Sequence, residues 1–384
     1  MVDCLSSHGV TPTAGTATVA VGKSGAILSP ASGIEPNLRR LQVYLAVHEH
    51  GGIHRAAARL HLSQSSVTRA VQQLEIQVGR PLFERTSKGM AGNELGDILA
   101  ERARRALSHL DKAETEIVNL HRSFNKAARQ RSFSTKLTYR QLRTLIAIVD
   151  YQTQTVAARS LALTQPALTL SLRSLEKVVG ERLFLRTPRG MVATPVGDIL
   201  ARRAKLAFSE ITAANSDISA HVGALSGSIV VGVLPLSGTL LAPRAINRLL
   251  REHPSIKITL VDGTYQSQIQ GLLCGNIDLI VGGLDYQSPA EIIQEPLFDD
   301  WLSIVARKRH PLFKRHSLSL LDLAGAEWVV PPDGTPARIS FERVMSRIGL
   351  DVGSNPIVAN ASPVRALLIE SDRLAVMSRH QIYV

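Results

Sequence analysis

Between Leu62 and Val78 the chain reads LSQSSVTRAVQQLEIQV. Taken as a helix that starts at Ser63, it carries Val67, Val71, Leu74 and Val78 on one apolar face. Gln64, Ser65, Thr68, Arg69 and Gln72 fall on the opposite, polar face. Ser63 suits the N-cap, and no Gly or Pro interrupts the run. Gln and Arg make bidentate hydrogen bonds to base edges in a DNA major groove. A plain surface helix with a solvated face has the same pattern, so its neighbours must separate the two readings.

Upstream, IHRAAARLHLSQ reads as a short helix with Ile53, Ala56, Ala57 and Leu60 inward, a tight turn, and then the helix above. Small alanines allow the close helix approach that a helix-turn-helix requires. Downstream, GRPLFERTSKGM offers Pro and Gly punctuation, the apolar anchor Leu82-Phe83, and the basic residues Arg85 and Lys88, as a wing would. These residues resemble the LysR-type transcriptional regulators, whose signature runs AA-x-L-x-[LV]-[ST]-Q, then LE, then G-x-x-LF-x-RT. The combination is far more specific than any one of its parts.

The signature occurs twice. Gln64 matches Gln165, Leu74-Glu75 matches Leu175-Glu176, Leu82-Phe83 matches Leu183-Phe184, and GDILA at Gly96 recurs at Gly197, all at an offset of 101 positions. A fixed offset of this kind marks a duplicated domain. Members of the family usually carry one copy, so the duplication is the main departure.

The net charge of +12 is unevenly placed: residues 37–227 hold 28 Lys+Arg against 15 Asp+Glu, whereas residues 228–384 hold 15 of each. A basic excess confined to the duplicated region is the footprint of a polyanion such as double-stranded DNA. Cys4 and Cys274 cannot form a disulfide framework. No stretch approaches the ~18 consecutive apolar residues of a membrane span, no secretory signal is legible, and a cytoplasmic location is expected.

In order along the chain, residues 1–36 are rich in small and polar residues and read as a disordered tail. Residues 37–93 form the first winged helix-turn-helix, with Leu41, Tyr44, Leu45 and His48 marking its first helix. His48, His50 and His54 lie close in sequence but have no Cys or carboxylate at ligand spacing, so no metal is expected. A linker helix follows over 94–124, with an apolar stripe narrow enough for a two-helix seam. In the family such a helix pairs antiparallel with that of a partner subunit. A connector over 125–136 leads to the second winged domain, 137–195, and its own linker helix, 196–225.

In the second copy Leu168, Leu172, Leu175 and Val179 face inward and Gln165, Pro166, Thr169 and Arg173 outward. Pro166 is tolerable in a first helical turn. Leu170 stands where the first copy has Arg69 and the family usually has a polar or basic residue; it cannot hydrogen-bond a base edge but could touch a thymine methyl. In the wings, Lys88 and Arg189 are candidates for phosphate contacts.

From Ser228 the period changes. IVVGVL, IKITLV and IDLIV alternate with helical segments, as in βαβ units on a parallel sheet. Ligands of such sheets bind beyond the carboxyl ends of the strands, which makes Ser237, Thr239, Thr264 and Gln266 candidates for effector contacts. Ser and Thr before a helix are also ordinary N-caps, with or without a ligand. Residues 228–384 resemble the family's effector domain, a two-lobed α/β fold similar to the periplasmic binding proteins, with Pro331–Ala337 facing the cleft. The family's return segment to the first lobe is not found before Val384, so an effector domain truncated at its C-terminus, and marginally stable for that reason, is expected.

The expected protein is therefore multidomain: two largely α-helical winged helix-turn-helix domains with long linker helices, then the α/β effector domain. The resemblance implies a sequence-specific regulator whose DNA binding is set by an unidentified small-molecule effector, with no cofactor. An enzyme or a solute-binding protein built on the α/β part, with the basic half as a nucleic-acid tether, is the alternative. No nucleophile elbow, paired carboxylates, dinucleotide fingerprint or metal cluster supports the enzyme. Matching apolar rows on the two linker helices (Leu99, Ala103, Leu107, Leu110 against Leu200, Ala204, Phe208, Ile211) lead us to expect an internal pseudo-dimer within one chain. A swap between chains, giving a homo-oligomer, is the rival.

Overall fold

The computed structural model describes residues 2–5, 14–21, 34, 37–86, 89–123, 133–188, 190–223, 225–234, 241–283, 289–350 and 356–382. The expected disordered tail is corrected at once, because Val2–Leu5 (β1) and Ala14–Val21 (β2) are strands. Both pair with a strand from the far end of the chain, and β2 also pairs with a strand of the parallel sheet. The sequence TATVAV has the β-branched content of a strand. Its partners lie more than 250 residues away, so no local composition argument could supply them.

The first unit contains α1 (Leu38–His50), α2 (Ile53–Leu60) and α3 (Gln64–Val78), followed by a hairpin of β3 (Phe83–Thr86) and β4 (Gly89–Gly92) and the long helix α4 (Glu94–Ser123). The second unit repeats it: α5 (Tyr139–Tyr151), α6 (Gln154–Ser160), α7 (Gln165–Val179), β5 (Phe184–Thr187), β6 (Gly190–Ala193) and α8 (Pro195–His221). Even the tether of the hairpin is duplicated. Glu75 Oε1 accepts from the Leu82 amide and Glu176 Oε1 from the Leu183 amide, each at 2.9 Å. That is the structural work of the glutamate in the repeated Leu-Glu pair.

α4 and α8 pack antiparallel within the one chain, as expected for an internal pseudo-dimer. Their buried seam is Leu95, Leu99, Ala103, Ala106, Leu110, Ala113 and Ile117 on α4, and Val196, Leu200, Ala204, Ala207, Ile211, Ala214 and Ile218 on α8. Every seam residue of α8 lies 101 positions after one of α4. The alternating four- and three-residue steps from Leu99 onward are those of a two-helix coil, and the alanines let the axes approach. Leu107 and Phe208, expected in these rows, are half-buried at their edge. Ion pairs fix the direction: Arg102 with Glu210 (2.8 Å) and Asp217 (2.7 Å), Arg202 with Glu116 (2.6 Å), and His221 with Glu94 (2.9 Å). The C-terminal end of α4 lies beside the second unit, where His121 Nε2 is 3.5 Å from Glu181. A single hydrophobic core runs from Ile34 to Ile218 through both units.

The remaining chain forms β7 (Gly227–Val233), α9 (Leu241–Glu252), β8 (Ile256–Asp262), α10 (Tyr265–Leu273), β9 (Leu279–Gly283), β10 (Ile293–Arg307), β11 (Trp328–Val330), α11 (Pro336–Arg347), β12 (Ile357–Val358), α12 (Ala361–Ile369), β13 (Leu374–Ser378) and α13 (Arg379–Ile382). The strand order is β12-β11-β13-β10-β2-β9-β7-β8, with β1 also on β10. β7, β8 and β9 are parallel, as the βαβ reading requires. β10 belongs to both lobes: Ile293–Trp301 pairs with β2, and Leu302–Val305 pairs with β13. No described helix is long and apolar enough to cross a membrane.

The glycine of each GDILA block sits where a linker helix crosses the hairpin. A Cβ on Gly96 would lie 2.2 Å from the Leu82 carbonyl oxygen, and one on Gly197 2.3 Å from that of Leu183. Both obstacles are backbone, so a substitution must displace the helix. Gly96→Ala and Gly197→Ala are each expected to destabilise the chain by about 1–3 kcal/mol in chemical denaturation. An unchanged midpoint for both would show that the crossing is loose.

Candidate nucleic-acid interface and effector cleft

α3 is held from behind and from its start. Val67, Val71 and Leu74 are buried and Val78 is half-buried. Ser63 caps the helix, accepting from the Ser66 amide at 3.2 Å. Gln64, Ser65, Arg69 and Gln72 are exposed and Thr68 is half-buried, its hydroxyl donating to the Gln64 carbonyl at 2.9 Å. Gln64 Nε2 lies 3.0 Å from His54 Nδ1 on α2, so one edge of its amide is held across the helix-turn-helix. The sequence reading weighs His54 only as a metal ligand and not as a partner of Gln64, ten residues on. His48, one of the three clustered histidines, meets Asp97 at 2.8 Å, a carboxylate that lies close in space and not in sequence.

α7 presents the corresponding surface. Leu168, Leu172, Leu175 and Val179 are buried, while Gln165, Pro166 and Arg173 are exposed and Thr169 is half-buried. Thr164 caps the helix, with Pro166 in its first turn. Lys88 and Arg189 lie outside the described residues, and Arg85 is described only through its backbone, paired with Met90.

A cavity of about 600 Å³ opens between the two lobes of the C-terminal part. Thr264 and Gln266 line it at the start of α10, and the whole Pro331–Ala337 loop lines it from the other lobe. Ser237 and Thr239 lie outside the described residues. Thr264 is also the N-cap of α10, accepting from Ser267, and Thr335 is that of α11, so both hydroxyls already serve a helix. Asn360, at the start of α12, caps no helix through its side chain and also lines the cavity. Asn360, Ser378 and Gln381 carry no sequence signal for the cleft, because only the tertiary packing of the second lobe brings them to it.

The least legible contact joins the halves of the molecule. Lys205, on α8, is buried; its Nζ donates to Asp150 Oδ1 at 2.6 Å and to Asn276 Oδ1 at 2.9 Å. Asp150 belongs to the second unit and Asn276 to the turn after α10. One ammonium thus ties the second unit, its linker helix and the effector part together. The i, i+4 spacing from Ala201 sets Lys205 at the flank of the apolar row, the one hint the sequence offered. Cys274 lies at the same junction, and burial pushes its thiol pKa up, against the opposing effect of Lys205 and Arg202.

A three-helix unit with a hairpin, repeated once, precedes a two-lobed α/β part, the combination of a DNA-binding module with a ligand cleft. The family described as "Bacterial regulatory helix-turn-helix protein, lysR family" matches residues 38–97 and again 139–198, and "LysR substrate binding domain" matches 223–383. The chain is 32% identical over 359 residues to the HTH-type transcriptional regulator GalR of Pseudomonas putida, a match covering 90% of this chain and 85% of that protein. It is 30% identical over 243 residues to the HTH-type transcriptional regulator CysL of Bacillus subtilis, covering 63% and 80% of the two chains. A full-length OxyR variant from Pseudomonas aeruginosa shares the fold, with a TM-score of 0.51 at 20% identity over 64% of this chain and 80% of that one. The chain belongs to the LysR family: it is a DNA-binding transcriptional regulator with an effector-binding domain.

Asp150→Ala removes the carboxylate and leaves the Lys205 ammonium buried with one neutral partner. A loss of about 3 kcal/mol is expected in urea denaturation. Adding Lys205→Met to that variant should recover most of the loss, and failure to do so would mean that the ammonium is not the strained group.

Proposed function

We propose that both three-helix units are winged helix-turn-helix domains and that one chain sets both on the same DNA duplex. The observation that carries this reading is the antiparallel α4–α8 seam inside a single chain, which relates α3 and α7 by a pseudo-two-fold axis. In this reading Gln64 and Arg69 read bases from the first unit, with Ser65, Thr68 and Gln72 beside them, and Gln165, Thr169 and Arg173 serve the second. Pro166 marks the start of that second helix. Arg85, Lys88 and Arg189 hold phosphates at the wings. The small-molecule effector occupies the cleft beside Thr264 and Gln266, and Ser237 and Thr239 belong to the same site. Ligand binding there adjusts DNA binding through the effector part's attachment at Lys205.

The tether favours the internal pairing. A short connector keeps the second linker helix at an effective concentration of roughly millimolar, above that of a second chain in most settings. Residues 37–227 contain nearly all of the first core and are expected to form a monomeric fragment that occupies an interrupted site at one chain per duplex. Sedimentation that finds only dimers of this fragment would sink the internal pair. On its target, Gln64→Ala is expected to cost about 1–3 kcal/mol and relax sequence preference, whereas Lys88→Ala should weaken all sequences alike and reduce the salt slope. Unchanged binding of Gln64→Ala to both target and random DNA would remove Gln64 from the base-reading set.

A further inference from the structure

The two DNA-facing surfaces are not copies of each other. At the offset of 101 residues, Gln64 and Thr68 recur as Gln165 and Thr169, but Ser65 becomes Pro166, Arg69 becomes Leu170 and Gln72 becomes Arg173. The change extends to the hairpin, where Glu84 and Ala91 become Leu185 and Val192, directly paired across β5 and β6. Leu170 is 65% exposed and Leu185 and Val192 are 54% and 52% exposed, so the first unit's polar surface has become partly apolar in the second.

We infer that this chain recognises an asymmetric operator in one fixed orientation, with Leu170 reading a thymine methyl in the second half-site. The inference rests on the reading above, that both units hold DNA. Leu170 lies one helical turn from Pro166 and from Arg173, and beside Thr169, so its surroundings suit a polyanion and not a protein core. The basic excess of residues 37–227 points the same way. In a major groove the C5-methyl of thymine is the one apolar feature on a base edge, and a leucine at a base-reading position has no other specific partner there. The first unit, with Gln64 and Arg69, selects by hydrogen bonds instead.

A homodimer presents two identical surfaces and therefore selects a palindrome. A fused pair is free of that constraint, because each copy can change alone. A single effector part follows the second unit and is attached to it through Lys205, Asp150 and Asn276. A fixed orientation on the operator therefore also fixes the side on which the single effector domain stands.

The test uses the full chain and random double-stranded DNA. Selection followed by footprinting is expected to return a bipartite site with two unlike halves. Deoxyuridine in place of thymidine removes only the methyl, and at one or two positions of the second half it should weaken binding about fourfold, the effect of one lost buried methyl. The same exchange in the first half should have little effect. Leu170→Ala should abolish the sensitivity, and the double variant Leu170→Arg with Arg173→Gln should move the selected site towards a palindrome. A palindromic site for the unaltered chain, or no response to deoxyuridine, overturns the inference while leaving both units on DNA. A footprint over one half only overturns the underlying reading as well.

Discussion

The seam between α4 and α8 is the constraint on which the rest of the molecule depends. Each helix has a narrow apolar row flanked by charge, and neither could bury that row alone. The ion pairs around it obey the internal repeat. Shifting Arg102 and Asp217 by the 101-residue offset gives Arg203 and Glu116, which are also paired. The repeat itself is broken inside the seam helices, where His109 of α4 corresponds to Glu210 of α8. Glu210 is buried, and its Oε2 accepts from Arg102. Such a charge is tolerable because burial works against the guanidinium while Glu210 and Asp217 more than compensate, holding the Arg102 pKa above its ordinary value. A buried carboxylate so placed helps to fix the register of the two helices, a role polar groups in helical seams are well suited to.

What was legible in the sequence follows from which interactions are local. The recognition helix was expected from Ser63, and it runs from Gln64 with Ser63 as its cap, because cap, periodicity and apolar face all lie within fifteen residues. For the linker helices the sequence suggests 94–124 and 196–225; the helices run Glu94–Ser123 and Pro195–His221, the second ending four residues earlier. The tail was misread because a strand between β9 and β10 depends on partners that composition cannot reveal. The role of Lys205 is barely legible for a related reason. A lysine on a helix is by default a solvated charge, and only the arrival of Asp150 and Asn276 from separate domains makes its burial tolerable. The cleft stands between these cases: its first-lobe side follows from strand ends and helix caps, while Asn360, Ser378 and Gln381 come from a lobe whose placement is tertiary.

Duplication within one chain changes what selection can act upon. In a homodimer a substitution at a base-reading position appears twice and must suit both half-sites. In this chain Arg69 and Leu170 occupy equivalent places and differ, and the wings differ with them. The internal supports do not. Glu75 and Glu176 hold their hairpins at the same distance, and Gly96 and Gly197 meet the same carbonyl obstacle. The two copies have thus kept what their fold requires and diverged on their exposed faces, as expected when packing constrains each copy separately and the surface does not.

The attachment of the effector part obeys the same asymmetry and adds direction to it. α10 begins at the cleft with Thr264, Tyr265 and Gln266, and its last turn leads to Asn276 at the Lys205 ammonium. Its nine residues span about 14 Å, so one rigid element connects the two sites. An ammonium buried between two domains makes a sensitive joint. Moving Asn276 by little more than an ångström breaks a charge-assisted hydrogen bond that water cannot easily replace, and the Asp150 pair then carries the charge alone. On the reading proposed above, a displacement at the start of α10 reaches α5 and α8 of the second unit through this joint. The first unit stands beyond the α4–α8 seam, whose fourteen buried apolar residues resist a change of register, and it is also joined to the effector sheet by β2, which precedes it in the chain.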